Sequence, residues 1–507
     1  MKKVFIFAIG GTGARVLRSL SMLLAAGING MNDLELIPII IDYDVVNGDK
    51  SIANTCLEKY CQIRAQGVSD QDNDSFFMTK VSRLKDVATP GGNNGSEIIS
   101  NDFDMYFGPV NTDCTFSDEI QYDKLTREMD LTHSLLEALY DDSERIDANG
   151  NENKSAELNL NLKRGFLGNP NIGSVVFDKL KDTKEFKHFS NVFNPEIDKV
   201  FIISSIFGGT GSSGFPQIVN SIRNSSMPSL QNAVIGAVIV LPYFKIQKAG
   251  GAIDSDNFNS KTKAALSFYE TSGLNQRLNS IYYIGDTNTS QLSDHDGGDD
   301  QKNQAHIVEL LSALSIVDFC TKDRQFKNAY EYGITFDADT LSLANFDETE
   351  SIHPHFDYLT RFSYMTKYYR DILQGKRGHI GTQEAFYTGL HLRSNIQNKQ
   401  QNFKNLDEFI ALYEQWIKEL GNNAHKFVPY MLGSEYKFTK MLTHKPLREH
   451  RLRPDQLTDS DITKYLNNAY KPERATVTPE NEFKVFLKIM RKASENVLEQ
   501  VNNITIK

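Results

Sequence analysis

Residues 198–223 read DKVFIISSIFGGTGSSGFPQIVNSIR, and the interpretation of this stretch decides the fold. Val200 to Ile206 is an apolar, β-branched run broken only by Ser204 and Ser205, the composition of a parallel strand buried on both faces. A glycine loop follows at once. Gly208, Gly209, Gly211 and Gly214 let the backbone turn sharply and bring successive N–H groups close to an anion, with the hydroxyls of Thr210, Ser212 and Ser213 beside them. Ile218, Val219 and Ile222 then recur at helical spacing, so the N-terminal N–H groups and positive dipole end of a helix point back at the loop. This is a phosphate-binding arrangement. The loop lacks a Gly-Lys-Ser/Thr ending, which excludes a Walker-type site at this position.

The chain opens with a second unit of the same kind. Val4 to Ile9 reads as a strand, Gly10-Gly11-Thr12-Gly13 as a turn, and Ala14 to Ala26 as a helix with Val16, Leu17, Leu20, Leu23 and Leu24 buried. The next strand, Leu36 to Ile41, runs into Asp42-Tyr43-Asp44. Carboxylates then stand at the carboxyl end of a parallel strand, where ligands bind in open α/β sheets and an acid can accept a hydrogen bond from a ribose hydroxyl. Read alone, this unit also fits a nicotinamide-dinucleotide domain or an adenylating domain. A third glycine-bearing segment, Gly165 to Gly173, reads GFLGNPNIG.

The loop at 208–214 resembles the signature loop of the tubulin and FtsZ superfamily, GGGTGSG or GGGTGTG, with Phe207 where the first glycine of that run stands. Gly165 to Gly173 resembles the FtsZ loop GAGANPEVG, which in that family covers the terminal phosphates and here implicates Gly168, Asn169 and Pro170. The three loops come in the family's order, and the resemblance spans about residues 1–320. It implies a Rossmann-like parallel sheet with helices on both faces, a long central helix, and a mixed α+β, helix-rich C-terminal domain over 320–507. It further implies GTP or GDP with Mg2+, the phosphates held by Gly10 to Gly13 and by Gly208 to Gly214. Asn303, near the start of a central helix expected over 303–319, would read the guanine edge. Head-to-tail self-association into filaments follows from the same resemblance, with hydrolysis completed at the subunit interface.

Hydrolysis is where the resemblance is thinnest. The family's NxDFAD segment has no close copy, and Asp337 and Asp339 in TFDADT are the nearest candidates for carboxylates that orient water. A non-hydrolysing, nucleotide-gated scaffold that acts through a partner therefore stays open, as does a dinucleotide-binding or adenylating enzyme using the first loop.

Composition bounds these readings. A chain of 507 residues with 40% hydrophobic and 24% charged residues has room for two or three ordinary globular domains. The net charge of -10 argues against nucleic acid as the main partner. Four cysteines without metal-finger spacing, and no apolar run of membrane-spanning length, fit a cytoplasmic protein with no protein-held metal site, and the family resemblance implies a prokaryotic one. Residues 69–163, rich in Asp, Asn and Ser, read as an insertion on the nucleotide face whose clearest helix is Leu125 to Tyr140. Farther on, Lys261 to Leu278 reads as a helix with Ala264, Ala265, Phe268 and Leu274 inward, Asn303 to Phe319 as an amphipathic helix, and Ala385 to Leu392 as a short strand. A terminal helix, Glu480 to Val501, is expected behind Thr478 and Pro479, its apolar face serving as core or as a partner surface together with the insertion.

Overall fold

The computed structural model describes residues 1–44, 46–70, 72, 74–89, 102–105, 114–128, 135–136, 139–140, 146, 149–151, 157–166, 168–246, 257–287, 290–292, 302–321, 328–330, 340–346, 352–375, 384–443 and 457–504. Apolar runs with few polar interruptions become its central strands: β1 (Lys2–Ile9), β2 (Leu34–Ile41), β5 (Lys199–Ser205) and β6 (Val234–Val240), each buried nearly end to end. Short strands β3 (Lys80–Val81), β4 (Asp104–Met105), β8 (Ser280–Ile284) and β10 (Asn328–Tyr330) complete an all-parallel sheet of order β10-β8-β6-β5-β1-β2-β3, with β4 also paired to β2, while β7 (Phe244–Ile246) and β9 (Ser290–Leu292) pair in parallel apart from it. The stretch 69–163 thus contributes β3 and β4 to the sheet edge itself. Its helix begins at Tyr122 and is described to Glu128.

Helices cover both faces. Register pairs Ile6 with Phe201, whose ring meets Phe319 of helix α7 (Ile307–Thr321) at 5.3 Å. Phe5 and Phe7 point to the other side and meet Phe189 of helix α4 (Lys184–Val192) at 4.9 and 5.1 Å. Among the described residues, the other helices of eight or more residues in this half are α1 (Gly10–Ala25), α2 (Gly48–Gly67), α3 (Pro170–Phe177), α5 (Gly209–Arg223) and α6 (Phe258–Thr271). The fold is therefore α/β with a Rossmann-like sheet. From β1 the chain winds one way through β2 to β4, then crosses and winds the other way through β5, β6, β8 and β10. The direction reverses between β1 and β5, and a crevice at the C-terminal ends of strands is where open α/β sheets bind ligands.

Helix α7 starts at Ile307, four residues later than expected, and is buried nearly all round. The amphipathic expectation fails because the helix packs on strands β6 and β8 and along α1, which together cover most of its surface. The C-terminal region is built from α8 (His353–Tyr368), α9 (Gln401–Leu420), α10 (Asp459–Tyr470) and α11 (Glu482–Ile504). A two-stranded parallel sheet, β11 (Thr340–Leu341) with β12 (Lys426–Phe427), adds the β content of this region. Residues expected as a strand over 385–392 form the short helix Ala385–Gly389 and enter a second, Leu392–Gln397, packed by α10. In α6 the inward residues are Phe258, Thr262 and Tyr269, while Phe268 is 53% exposed. Terminal helix α11 begins at Glu482, after a turn over 478–481, and buries Phe483, Phe486, Leu487, Met490, Val497 and Val501 against α2, α8 and α10.

Candidate functional site

Strand β1 passes directly into α1 through Gly10, whose φ of +68° lies in the left-handed region that a side chain would strain. Helices α1, α3 and α5 begin behind Ile9, Asn169 and Gly208, none of which makes a side-chain hydrogen bond to the first turn. Each start presents unpaired N–H groups and a positive dipole end. The three starts meet. A Cβ on Gly10 would lie 3.4 Å from Cβ of Thr210, and one on Gly209 would lie 2.8 Å from the Gly168 nitrogen and 3.1 Å from that of Asn169. Thr210 therefore stands between the first and third loops, and the second and third loops touch backbone to backbone. Pro170 occupies the first helical position of α3, where its missing N–H costs nothing.

The seryl hydroxyls of the 208–214 loop are used locally: Ser212 donates to the Gly208 carbonyl and Ser213 to that of Gly209 at 2.7 Å. Their contribution to an anion is thus limited to backbone N–H groups. Gly211 and Gly214 are required for packing: a Cβ on Gly211 would fall 2.4 Å from the Ser205 carbonyl oxygen, and one on Gly214 would fall 2.6 Å from the Phe177 ring. Gly11, Thr12 and Gly13 form the first turn of α1, with Gly13 pressed against the Ala8 backbone. Lys261, on α6, donates from Nζ to the Gly168 carbonyl at 2.9 Å and brings a cation to the crevice.

Asp42 and Asp44 are buried at the end of β2, beside Lys50 and Asp104, whose Nζ and Oδ2 lie 3.4 Å apart. Burial pushes the Asp42 carboxyl up to about 7, against the pull of Lys50 and with a further push from Asp44. Between these acids, the Tyr43 ring packs on Phe166 at 5.5 Å and joins this turn to the third loop.

Beneath the first loop lies a buried polar network. Arg15 Nε donates to Glu309 Oε1 at 2.6 Å, one terminal nitrogen to Asp49 Oδ2 at 2.5 Å, and the other to Tyr243 OH at 2.7 Å and Thr12 Oγ1 at 3.3 Å. Asn303 is placed here: its backbone N–H and Nδ2 donate to Asp49 at 2.8 and 2.9 Å. Burial raises the Asp49 carboxyl, offset in part by Arg15 and Asn303. His306 packs on the Tyr243 ring at 4.9 Å, and burial lowers its imidazole to about 4, so it is neutral near pH 7.

All three glycine loops and the Asp42–Asp44 turn come together, whereas Asp337 and Asp339 lie outside the described residues. Sequence reasoning missed Arg15, Asp49, Glu309, Tyr243 and Lys261. The available signal was a charged residue inside an apolar helical run, Arg15 between Ala14 and Val16 and Glu309 between Val308 and Leu310. Among the described residues, no group of three or more His, Cys, Asp or Glu is placed to hold a metal ion, and no helix is long and apolar enough to cross a membrane.

No protein-family model matches the chain, and no curated protein matches it. Among solved structures it is similar to the crystal structure of a GTPγS-form protofilament of TubZ from Bacillus thuringiensis serovar israelensis, at 13% identity and a TM-score of 0.24 over 57% of this chain. A helical model of the TubZ-Bt two-stranded filament is similar at 12% identity and a TM-score of 0.22, again over 57% of this chain. The matched stretch spans about half of each of those chains, 48% and 47%. Agreement at this level leaves the function to be argued from the site itself.

Proposed function

We propose that the chain binds a nucleotide through its phosphates at the β1/β5 crevice, with GTP or GDP as the ligand, and that nucleotide binding controls head-to-tail self-association. The observation that carries this reading is the meeting of three helix starts, α1, α3 and α5, none closed by a side-chain cap. Uncapped N–H groups suit phosphate oxygens because they supply fixed partial positive charge without a side chain that must be ordered first. Gly10, Gly11, Thr12 and Gly13 would hold phosphates from one side and Gly208, Gly209, Thr210 and Gly211 from the other, with Gly168, Asn169 and Lys261 closing over them. The buried Asp42 carboxyl is the acceptor for a ribose hydroxyl. A magnesium ion would be held by the phosphates and by water, which is its usual preference.

Asn303 favours a second reading of the base. Its backbone N–H and its side-chain Nδ2 both donate to Asp49, so its amide is engaged away from a guanine edge, and ATP belongs in the same test. Purified protein is incubated with GTP, GDP, ATP or a slowly hydrolysed GTP analogue, while binding, phosphate release and filament formation by negative-stain microscopy are followed in the same samples. Guanine-nucleotide-dependent filaments with turnover rising faster than protein concentration support a polymerising GTPase. Binding without filaments or turnover supports the nucleotide-gated scaffold. Pyrophosphate exchange into ATP, or a nicotinamide-dependent absorbance change, would replace both by an enzyme of the first loop. Lack of binding to any nucleotide would refute the proposal.

A further inference from the structure

Helix α1 carries Arg15, Arg18 and Ser19 at i, i+3 and i+4, on one face, and each is bound to a different part of the chain. Arg15 holds Asp49 and Glu309; Arg18 forms a two-pronged pair with Glu419 of α9 at 2.6 and 3.3 Å; Ser19 accepts the indole N–H of Trp416 at 3.1 Å. The segment leading into α7 is fastened at three points. Asn303 binds Asp49, the Ala305 N–H donates to Glu419 Oε2 at 2.9 Å, and Glu309 takes Arg15 and Tyr243 on one oxygen and the His306 N–H on the other. The Ala305 carbonyl also accepts from Asn423 at 2.8 Å.

We propose that Arg15 is the positioning residue of the anion site, and that the 303–309 segment it grips through Glu309 carries the state of that site to Glu419 and Asn423. The inference rests on the nucleotide reading above. Contact with the loop is direct: a Cβ on Gly11 would lie 3.4 Å from Asp49 Oδ2 and 3.6 Å from an Arg15 terminal nitrogen, so the loop backbone rests on the ion pair. Burial alone would lower the Arg15 guanidinium, but Tyr243, Asp49 and Glu309 together keep it charged. A buried cluster of one cation and two carboxylates is a poor device for stability, since apolar side chains of similar volume do as well or better. What it supplies is a fixed geometry, because a planar guanidinium serves several acceptors in set directions and an ammonium cannot. When anion binding tightens the α1 start, Arg15 holds Glu309 and Asp49, and through them Ala305 and Asn303, in one arrangement. Reciprocally, a loosened contact at Glu419 weakens the site.

Hydrogen exchange followed by mass spectrometry tests this on full-length protein, with and without saturating GTP. In the wild type, GTP is expected to slow exchange both in residues 8–16 and in residues 412–424. Arg15→Lys, which keeps the charge but not the fork, is expected to weaken GTP binding by about tenfold or more at a temperature where its circular dichroism is unchanged. Glu419→Gln is expected to lose GTP-induced protection of 412–424 and, by reciprocity, to bind GTP more weakly, with protection of 8–16 reached only at a higher GTP concentration. A merely structural Arg15 would lower the melting temperature and leave affinity alone; unchanged affinity in folded Arg15→Lys, or wild-type protection confined to 8–16, overturns the proposal. If Arg15→Lys does not fold, Asn303→Ala takes its place, because it removes the Nδ2 hydrogen bond to Asp49 while leaving the backbone one and the ion pair. Should GTP, GDP and ATP all leave residues 8–16 unprotected in the wild type, it is the nucleotide reading that fails. The coupling is then read without ligand: exchange in 412–424 must still rise in Arg15→Lys, and an unchanged rate sinks it.

Discussion

Asp42 and His306 titrate across the same range of pH with opposite effects on folding. Burial holds the Asp42 carboxyl at about 7, well above its value in an unfolded chain, so the native protein binds the extra proton and stability falls as pH rises from about 4 to about 7. His306 is held at about 4 by burial, so the unfolded chain binds the extra proton and stability falls as pH drops from about 6.5 to about 4. The two slopes oppose each other. Asp42→Asn is therefore expected to raise the unfolding midpoint at pH 8, to leave it nearly unchanged below pH 4, and to expose a rise in stability between about pH 4 and 6.5. Denaturation with urea at several pH values reads this, and a variant whose profile stays parallel to the wild type contradicts the assignment. Gly211 gives a second expectation at this scale. Its Cβ would meet the Ser205 carbonyl oxygen at 2.4 Å and the Ser205 nitrogen at 2.9 Å, backbone atoms that cannot rotate away. Gly211→Ala should cost about 1–3 kcal/mol by forcing α5 off the strand that feeds it. Nucleotide binding should fall with it, measured by fluorescence titration of the folded variant. The sequence displayed the glycines of this loop but not their separate duties, because contact with Ser205 depends on the crossing of helix and strand.

Elements that carry a long apolar run or a long helical repeat were legible from the sequence, among them β1, β2, β5, α1 and α11. Those that failed did so for identifiable reasons. Residues 385–392 were too short for period to separate strand from helix, and packing by α10 decided for helix. In α6, Phe268 stands beside and outside the face that Tyr269 buries against Phe215, a choice that depends on the neighbouring helix. The three glycine loops were legible because each carries its own local signal. The Arg15 network was not, since its partners Asp49 and Glu309 lie 34 and 294 residues away. Gly67, the last residue of α2, offers a test of element packing separate from the site. A Cβ there would fall 2.4 Å from Leu487 Cδ1 and 2.9 Å from Phe483 Cε1, both on α11. Gly67→Val is expected to lower stability by about 1–3 kcal/mol by wedging α11 outward, without altering nucleotide affinity below the melting temperature. Helix α2 begins beside the first loop and ends at its far end, so an equal loss of affinity would mean that α11 supports the site after all.

At the scale of the whole molecule, charge sets the terms on which copies can meet. With 55 Lys and Arg against 65 Asp and Glu, each chain carries a formal charge of -10, so two copies repel before any specific contact forms. That repulsion is long-ranged at low salt, with a screening length of about 30 Å at 0.01 M, and shrinks to about 10 Å at 0.1 M. A head-to-tail contact closed over a bound nucleotide would add negative charge to the junction, and magnesium at the phosphates would offset part of it. Self-association in the presence of GTP is therefore expected to strengthen as salt rises from about 0.01 to about 0.1 M, and to strengthen further with magnesium. Light scattering and sedimentation with GTP, GDP or no nucleotide measure both dependences. Association that weakens with added salt would point to an interface held by complementary charge patches instead, and association indifferent to nucleotide would separate assembly from the crevice between β1 and β5. The sign of the salt dependence thus decides whether net charge or local charge governs the contact, and the nucleotide dependence decides whether the three helix starts have any part in it.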